Sequence, residues 1–235
     1  MSGAGRRGGE GALRVSGIVR ALALVIGLVE LTACERLPSY RYKMTVEVQT
    51  PQGIRTGSVV REVTGRKEPH LLPEMGGIIT DVVGEAVMID LPDGKSIYGL
   101  LTGSHAAGYA KGAAPQAFGL KARNPDSPYP KIVAYLSRTR LRGALPRKAY
   151  PTFVTFADER NPQSVILVDP EHLGATIGDG IAIKRIIIET TNEPTTSQLQ
   201  DRLPWLRSLH TTLAQRPQRD QVEIADRLQR RDFIQ

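Results

Sequence analysis

Apolar and polar side chains alternate most strictly over residues 40–48. One face of a strand would carry five apolar side chains there: Tyr40, Tyr42, Met44, Val46 and Val48. This alternation, rich in aromatic and β-branched residues, predicts a half-buried strand. Residues 50–53 (Thr-Pro-Gln-Gly) favour a turn, because proline presets φ and glycine accepts a positive φ. Residues 55–63 then return as the partner strand of a hairpin.

The register of this first hairpin follows from its turn. If Gln49 pairs with Ile54 across the turn, Met44 pairs with Val59 and Arg41 with Glu62. Met44 and Val59 then face the core, and the two charged side chains face outwards.

A second hairpin is predicted over residues 85–101. Residues 92–94 (Pro-Asp-Gly) fit a three-residue hairpin loop that ends on a left-handed glycine. Residues 150–156 and 164–168 read as two more strands joined by a polar turn, and residues 181–190 form the most apolar strand. The pattern therefore predicts a mainly β protein. Its seven to nine strands would form antiparallel sheets from hairpins, as a sandwich or a partly open barrel with short C-terminal helices.

The apolar strand over residues 181–190 breaks its own alternation. A regular register would bury Arg185 between Ile183 and Ile187, and an unpaired buried charge is costly. A β-bulge near Lys184 restores the pattern, since one extra residue exchanges the faces. The alternative is a central strand that is covered on both faces. The bulge predicts that Ile183, Ile186 and Ile188 share the buried face.

Helical signals are weaker than strand signals. Residues 103–119 are rich in glycine and alanine and predict a loop rather than a short helix. Residues 131–136 fit either a strand or a helix. Asp169 before Pro170 predicts the start of a single helical turn. Leucines at helical spacing over residues 196–213 predict a short helix or two fragments, because Pro204 interrupts them.

Three regions of the chain are expected to differ in role. Residues 1–33 are predicted to be a signal peptide, residues 34–213 a single β-rich domain, and residues 214–235 a polar tail. The Pro-dense residues 123–130 are the best candidate for a boundary within the domain. Few apolar groups lie in the tail, so we expect it to be exposed and to add little stability.

The signal-peptide prediction rests on a short apolar run, residues 21–29, after a positive leader. This run is too short to span a bilayer, which takes about 20 apolar residues. Residues 31–34 (Leu-Thr-Ala-Cys) resemble the lipobox of bacterial lipoproteins. The resemblance implies that the signal is cut before Cys34, whose thiol carries the lipid. Glu35, which is not the aspartate of inner-membrane retention, implies an outer-membrane anchor that faces the periplasm.

Composition adds two constraints. The whole chain has a net charge of +7, and without residues 1–33 the excess is +5. No basic stripe with interleaved aromatics occurs, so a nucleic-acid partner is not expected. Cys34 is the single cysteine, so no disulfide can form within the chain and stability must come from packing.

No catalytic, cofactor-binding or metal-binding constellation emerges from the sequence. His70, His105, His172 and His210 have no zinc-like spacing. Three acidic residues close to strand ends could converge on Ca²⁺, but they are better explained as turn-forming acids: Asp158, Asp169 and Asp179.

Several segments look like segments of uncharacterised bacterial lipoproteins. They are residues 40–48, 50–53, 55–58, 150–158, 168–170, 184–186 and 203–206. The likeness covers most of residues 34–213 and leaves out the tail. It implies a location in the cell envelope and no site residue besides Cys34.

Two function classes follow from these observations. The first is a non-enzymatic binding module, anchored to the membrane through Cys34 and in contact with an envelope protein. An exposed sheet edge or apolar patch would favour it. The second is a hydrolase acting on envelope material, with Ser104 and a histidine as participants. A cleft that joins these two side chains with an acid would favour the enzyme.

Overall fold

The computed structural model describes residues 36–67, 78–103, 109–120, 129–214 and 224–235. Nine strands make up two antiparallel sheets. They are β1 (Arg36–Thr50), β2 (Gly53–Lys67), β3 (Ile78–Val83), β4 (Val87–Asp90), β5 (Ser96–Gly103), β6 (Arg142–Ala144), β7 (Pro151–Phe156), β8 (Val165–Val168) and β9 (Ala182–Thr191). The chain is thus mainly β, as its sequence predicts.

The larger sheet has the strand order β3-β2-β1-β9-β6. The hairpin β1–β2 is confirmed in its register: Gln49 pairs with Ile54, Met44 with Val59 and Arg41 with Glu62. β1 lies in the middle of this sheet because β9 pairs along its other side.

The β-bulge in β9 is also confirmed. Against β1, Arg185 pairs with Glu47 while Ile183 pairs with the next residue, Val48, so that Lys184 is the extra residue. Ile183, Ile186 and Ile188 are buried, and both basic side chains are exposed. Ile187, on the other face, is also covered, with 6% of its surface exposed.

The smaller sheet has the strand order β4-β5-β7-β8. The second predicted hairpin, β4–β5, is confirmed, with Asp90 opposite Ser96 and Gly94 at a φ of 84°. The strands predicted over residues 150–156 and 164–168 pair with one another as β7 and β8.

The two sheets pack face to face in a sandwich-like arrangement. Side chains from β1, β2 and β9 meet side chains from β4, β5 and β7 in the first buried cluster. The sheets approach closely at Gly57, where a Cβ atom would lie 1.9 Å from the carbonyl oxygen of Met88. Only a residue without a side chain fits there.

A buried arginine ties the two sheets together. Arg61 of β2 is fully buried, and its Nε donates to the carbonyl oxygen of Glu85 at 2.9 Å. Its Nη2 donates to the carbonyl oxygen of Gly99 at 3.3 Å. Since buried polar groups must be hydrogen-bonded, these contacts fix the connection between β3 and β4 against β2 and β5.

Six short helices complete the described chain. They are α1 (Tyr109–Ala117), α2 (Tyr129–Arg138), α3 (Leu173–Thr176), α4 (Leu199–Arg202), α5 (Ile224–Arg227) and α6 (Arg230–Phe233). Within the described residues, no helix is long and apolar enough to cross a membrane.

The structure corrects two helical predictions and decides between strand and helix for residues 131–136. A loop over residues 103–119 is wrong for α1, whose alanines Ala110, Ala113 and Ala114 pack closely on the first cluster despite the glycines. Residues 131–136 lie within the helix α2. The helical turn after β8 begins at Leu173 instead of Pro170, because Asp169 first forms a separate turn.

The leucines of residues 196–213 behave as predicted. Pro204 separates α4 from a 3₁₀ turn at Pro204–Arg207. Their buried side chains form a second cluster on the opposite face of the smaller sheet: Leu199, Leu203, Leu206, Leu209 and Leu213.

The expectation of an exposed tail is wrong for residues 224–235. Phe233 is fully buried in the second cluster, next to Ala225 and Leu228. Ile234 forms an antiparallel bridge with Glu85. A segment that is polar on average therefore buries three apolar side chains, which average composition does not reveal.

Candidate binding edge

The fourth strand of the smaller sheet, β8, is an edge strand that pairs with β7. It consists of four uncharged apolar residues, Val-Ile-Leu-Val. Val165 and Val168 are buried, whereas Ile166 and Leu167 are 42% and 52% exposed. Edge strands are usually protected by charged residues, proline or bulges, and β8 has none of them.

Within the described residues, β8 has a strand partner on one side only, and the helix α5 also contacts it. In an antiparallel strand, alternate residues turn their N–H and C=O groups away from the partner. Two of the four residues of β8 therefore present both groups outwards. Within the described part of the chain, no backbone hydrogen bond joins β8 to any strand except β7. Among the described residues, no strand pairs with the outer side of β8.

A groove of about 620 Å³, which we call the β8 groove, is lined by the last two residues of β8, the start of β7 and the turns next to them. Its lining includes the buried side chains of Tyr150, Phe153 and Val168 together with the exposed side chain of Leu167. Burial raises the pKa of the Tyr150 phenol above its usual value, so this ring stays neutral. An apolar lining of this size is typical of ligand and peptide sites.

Charged side chains form the rim of the β8 groove. Arg147 contacts Glu171, with Nη1 and Oε2 at 3.3 Å, and both side chains are exposed. Asp169 and His172 meet at 2.9 Å between Oδ2 and Nδ1. Lys148 also lines the groove, and it forms no ion pair with any residue that the structure describes.

The pair Asp169–His172 shifts both of its titrations. The hydrogen bond to His172 and a second one from the N–H of Glu171 lower the pKa of Asp169. The same carboxylate raises the pKa of His172. Both groups are exposed, so solvent screens the interaction and the pair contributes little to stability.

The acidic residues considered for Ca²⁺ do not come together. Among the described residues, no group of three His, Cys, Asp or Glu side chains could hold a metal ion. Asp158 accepts the N–H of Arg160 and Asp169 accepts the N–H of Glu171, each at 2.9 Å. These are bonds of turn-forming acids, as the sequence indicates for these two residues.

A second polar cluster lies around Arg202 of α4. Its guanidinium contacts the carboxylates of Glu159 at 2.7 Å and Asp90 at 3.4 Å, and Nη2 donates to Ser96. The phenol of Tyr98 donates to Glu159 at 2.7 Å. Burial and this carboxylate raise the pKa of Tyr98 far above its usual range. Each group is satisfied by a neighbour, so we regard this cluster as a structural link between α4 and the smaller sheet.

Three sequence-derived candidates lie outside the described residues. Cys34, the predicted lipidation site, precedes the first described residue, and Ser104 and His105 lie between the described segments. The hydrolase hypothesis therefore stays a prediction. Sequence reasoning missed Ile166 and Leu167 as a surface, because a short apolar run is the usual sign of a buried strand. The only local signal is the absence of any charge in β8.

No protein-family model, curated protein or solved structure matches this chain.

Proposed function

We propose that this chain is a lipid-anchored, non-enzymatic binding module of the bacterial cell envelope. It holds an extended segment of another envelope protein along β8. The anchor is the lipid on Cys34, and the location is the periplasmic face of the outer membrane. No nucleic acid takes part.

One observation carries the binding part of this proposal. β8 is an uncharged edge strand with two exposed apolar side chains, and its last two residues line the β8 groove. Extended peptides add to such edges through backbone hydrogen bonds, and neighbouring pockets select their side chains. An exposed apolar edge strand without protection is prone to aggregate. A bound segment would cover its backbone groups and apolar side chains.

Site-specific photocrosslinking in intact cells tests this proposal. A photoreactive amino acid replaces Ile166 or Leu167 in the full-length protein, and Tyr135, which is 48% exposed on α2, is the control position. Neighbouring strand residues point to opposite faces, so a bound strand contacts both probes from one segment. We expect both probes to crosslink adjacent residues of a single segment in one envelope protein, with no such adduct from position 135.

Edge lysines supply the second arm of the test. Ile166→Lys should reduce the crosslink yield at position 167 at least about fivefold, because lysine blocks strand addition at edges. Ile54→Lys is the matched control, since Ile54 is similarly exposed at 47% but lies at the β1–β2 turn. Crosslinks scattered over unrelated proteins, or unchanged by Ile166→Lys, would contradict the proposal.

A further inference from the structure

The β8 edge is too short to be the interface between two copies of this chain. Four residues at about 3.3 Å each span about 13 Å. A stable protein–protein interface needs about 800 Å² from each partner, which a four-residue edge pair does not provide. A short extended segment can bind to a four-residue edge, because backbone hydrogen bonds to the strand are supplemented by a side chain in the groove.

The groove selects an apolar side chain next to the bound backbone. Tyr150, Phe153 and Val168 are buried side chains of its lining, and Leu167 adds exposed apolar surface. Burial of apolar surface contributes about 25 cal/mol per Å². A large apolar side chain of the partner would therefore be the main anchor of the complex.

The rim selects the charge of the partner. Both acidic side chains of the rim are already paired, Glu171 with Arg147 and Asp169 with His172. Lys148 is the charge of the rim that has no ion-pair partner among the described residues. Without the predicted signal peptide the chain carries +5, so its field also attracts negative segments.

We infer that the segment bound along β8 is an acidic extended strand. Its large apolar side chain fills the β8 groove, and a carboxylate contacts Lys148. This inference rests on the proposed function, since it specifies the chemistry of the same partner.

Synthetic peptides of about nine residues, enough to cover the edge with its flanks, provide the probe. Each peptide alternates threonine and valine, carries one leucine, and has Asp, Asn or Lys scanned along the remaining positions. Binding to the full-length protein is measured by fluorescence polarisation at about 0.05 M and about 1 M salt. For at least one position, we expect Asp to bind about threefold to fivefold tighter than Asn, the effect of one exposed ion pair, and only at low salt.

Charge reversal at the rim is the decisive arm. Lys148→Glu should reverse the preference from Asp peptides to Lys peptides. Lys131→Glu makes the same charge change on α2, away from the groove lining, and should leave the preference for Asp. Both variants keep the apolar side chains of the groove. A variant that fails to fold would lose binding to all peptides, whereas a change of charge preference leaves binding in place.

The outcomes separate the two levels of the proposal. If peptides bind, Ile166→Lys abolishes binding, and Asp, Asn and Lys peptides bind equally, then the acidic partner is wrong while edge binding stands. If no peptide binds, the inference is overturned, and the crosslinking experiment alone decides the proposed function. If light scattering shows a dimer that Ile166→Lys dissociates, the edge pairs with a second copy and both proposals are wrong.

Discussion

The ring of Phe233 packs edge-on against the indole of Trp205, with centroids 5.8 Å apart and ring planes at 82°. Phe156 of β7 lies against the same two rings. Backbone hydrogen bonds hold the segment in place: the N–H of Gly84 donates to Gln235, and the N–H of Gln235 donates back to Gly84. The last described residues are thus hydrogen-bonded to the connection between β3 and β4.

Phe233→Ala should destabilise the domain strongly. Truncating a buried phenylalanine costs about 3–5 kcal/mol, since apolar contacts are lost and a cavity remains. In a domain of this size, such a loss lowers the melting temperature by about 10 °C. Thermal unfolding followed by circular dichroism measures the change. Arg227→Ala, an exposed change in the same segment, is the control and should have little effect. A decrease in melting temperature of about 2 °C or less for Phe233→Ala would instead support the prediction of an exposed tail.

Gly57→Ala should separate the two sheets locally. Its Cβ would lie 1.9 Å from the Met88 carbonyl oxygen and 2.9 Å from Cγ1 of Ile89. Neither backbone can move without disturbing a sheet, so we expect a loss of about 3 kcal/mol in the free energy of unfolding. Urea denaturation gives the value. Gly112→Ala is the matched control, because its Cβ would meet only the end of the flexible Gln116 side chain. Equal stability of both variants would contradict the close approach.

Ser39→Ala should raise the pKa of Glu62. The Ser39 hydroxyl donates to this carboxylate and is the largest cause of its lowered pKa, ahead of Arg41. A lowered pKa in the folded state stabilises the fold above the usual glutamate pKa, and this stability is lost as the pH falls through the lowered value. In Ser39→Ala, the stability that the Glu62 carboxylate contributes should therefore be lost at a higher pH than in the unchanged protein.

Carbon-13 NMR titration of the Glu62 carboxyl measures this shift directly. Ser58→Ala removes another hydroxyl from β2, at an exposed position, and serves as the control. An unchanged Glu62 titration in Ser39→Ala would show that the arginine alone sets its pKa.

Cys34→Ala tests the anchor. If Cys34 carries the lipid, the variant should lose palmitate labelling and accumulate as an uncleaved precursor in cells. Metabolic labelling followed by electrophoresis shows both effects. A full-length protein with Ser39→Ala controls for expression, because it keeps the lipobox residues 31–34. Normal labelling of Cys34→Ala would exclude the lipoprotein hypothesis.

The hairpins and the bulge could be predicted because their causes are local. The alternation over residues 40–48 and the turn at 50–53 determine the pairs of β1 and β2. The cost of burying Arg185 predicts the irregularity that the pairing with Glu47 confirms. In each case, the physical reason lies within about ten residues.

The candidate site could not be predicted because its causes are distant in sequence. Val-Ile-Leu-Val reads as a strand, yet nothing near it shows that β8 has one neighbour instead of two. The groove combines the 3₁₀ turn at Arg147–Ala149 with the turn after β8. Phe233 similarly finds its partners, Phe156 and Trp205, only after the smaller sheet has formed. Tertiary packing decides all three arrangements.

The start of β1 at Arg36 limits how far the domain can move from a lipid on Cys34. Two residues extend at most about 7 Å, so a lipid on Cys34 would hold the domain on a very short linker. A domain of this length has a radius of gyration of about 16 Å. The β8 edge would then stay within a short distance of the bilayer surface. If Cys34 carries the proposed lipid, the proposed partner would have to present its strand close to the lipid headgroups.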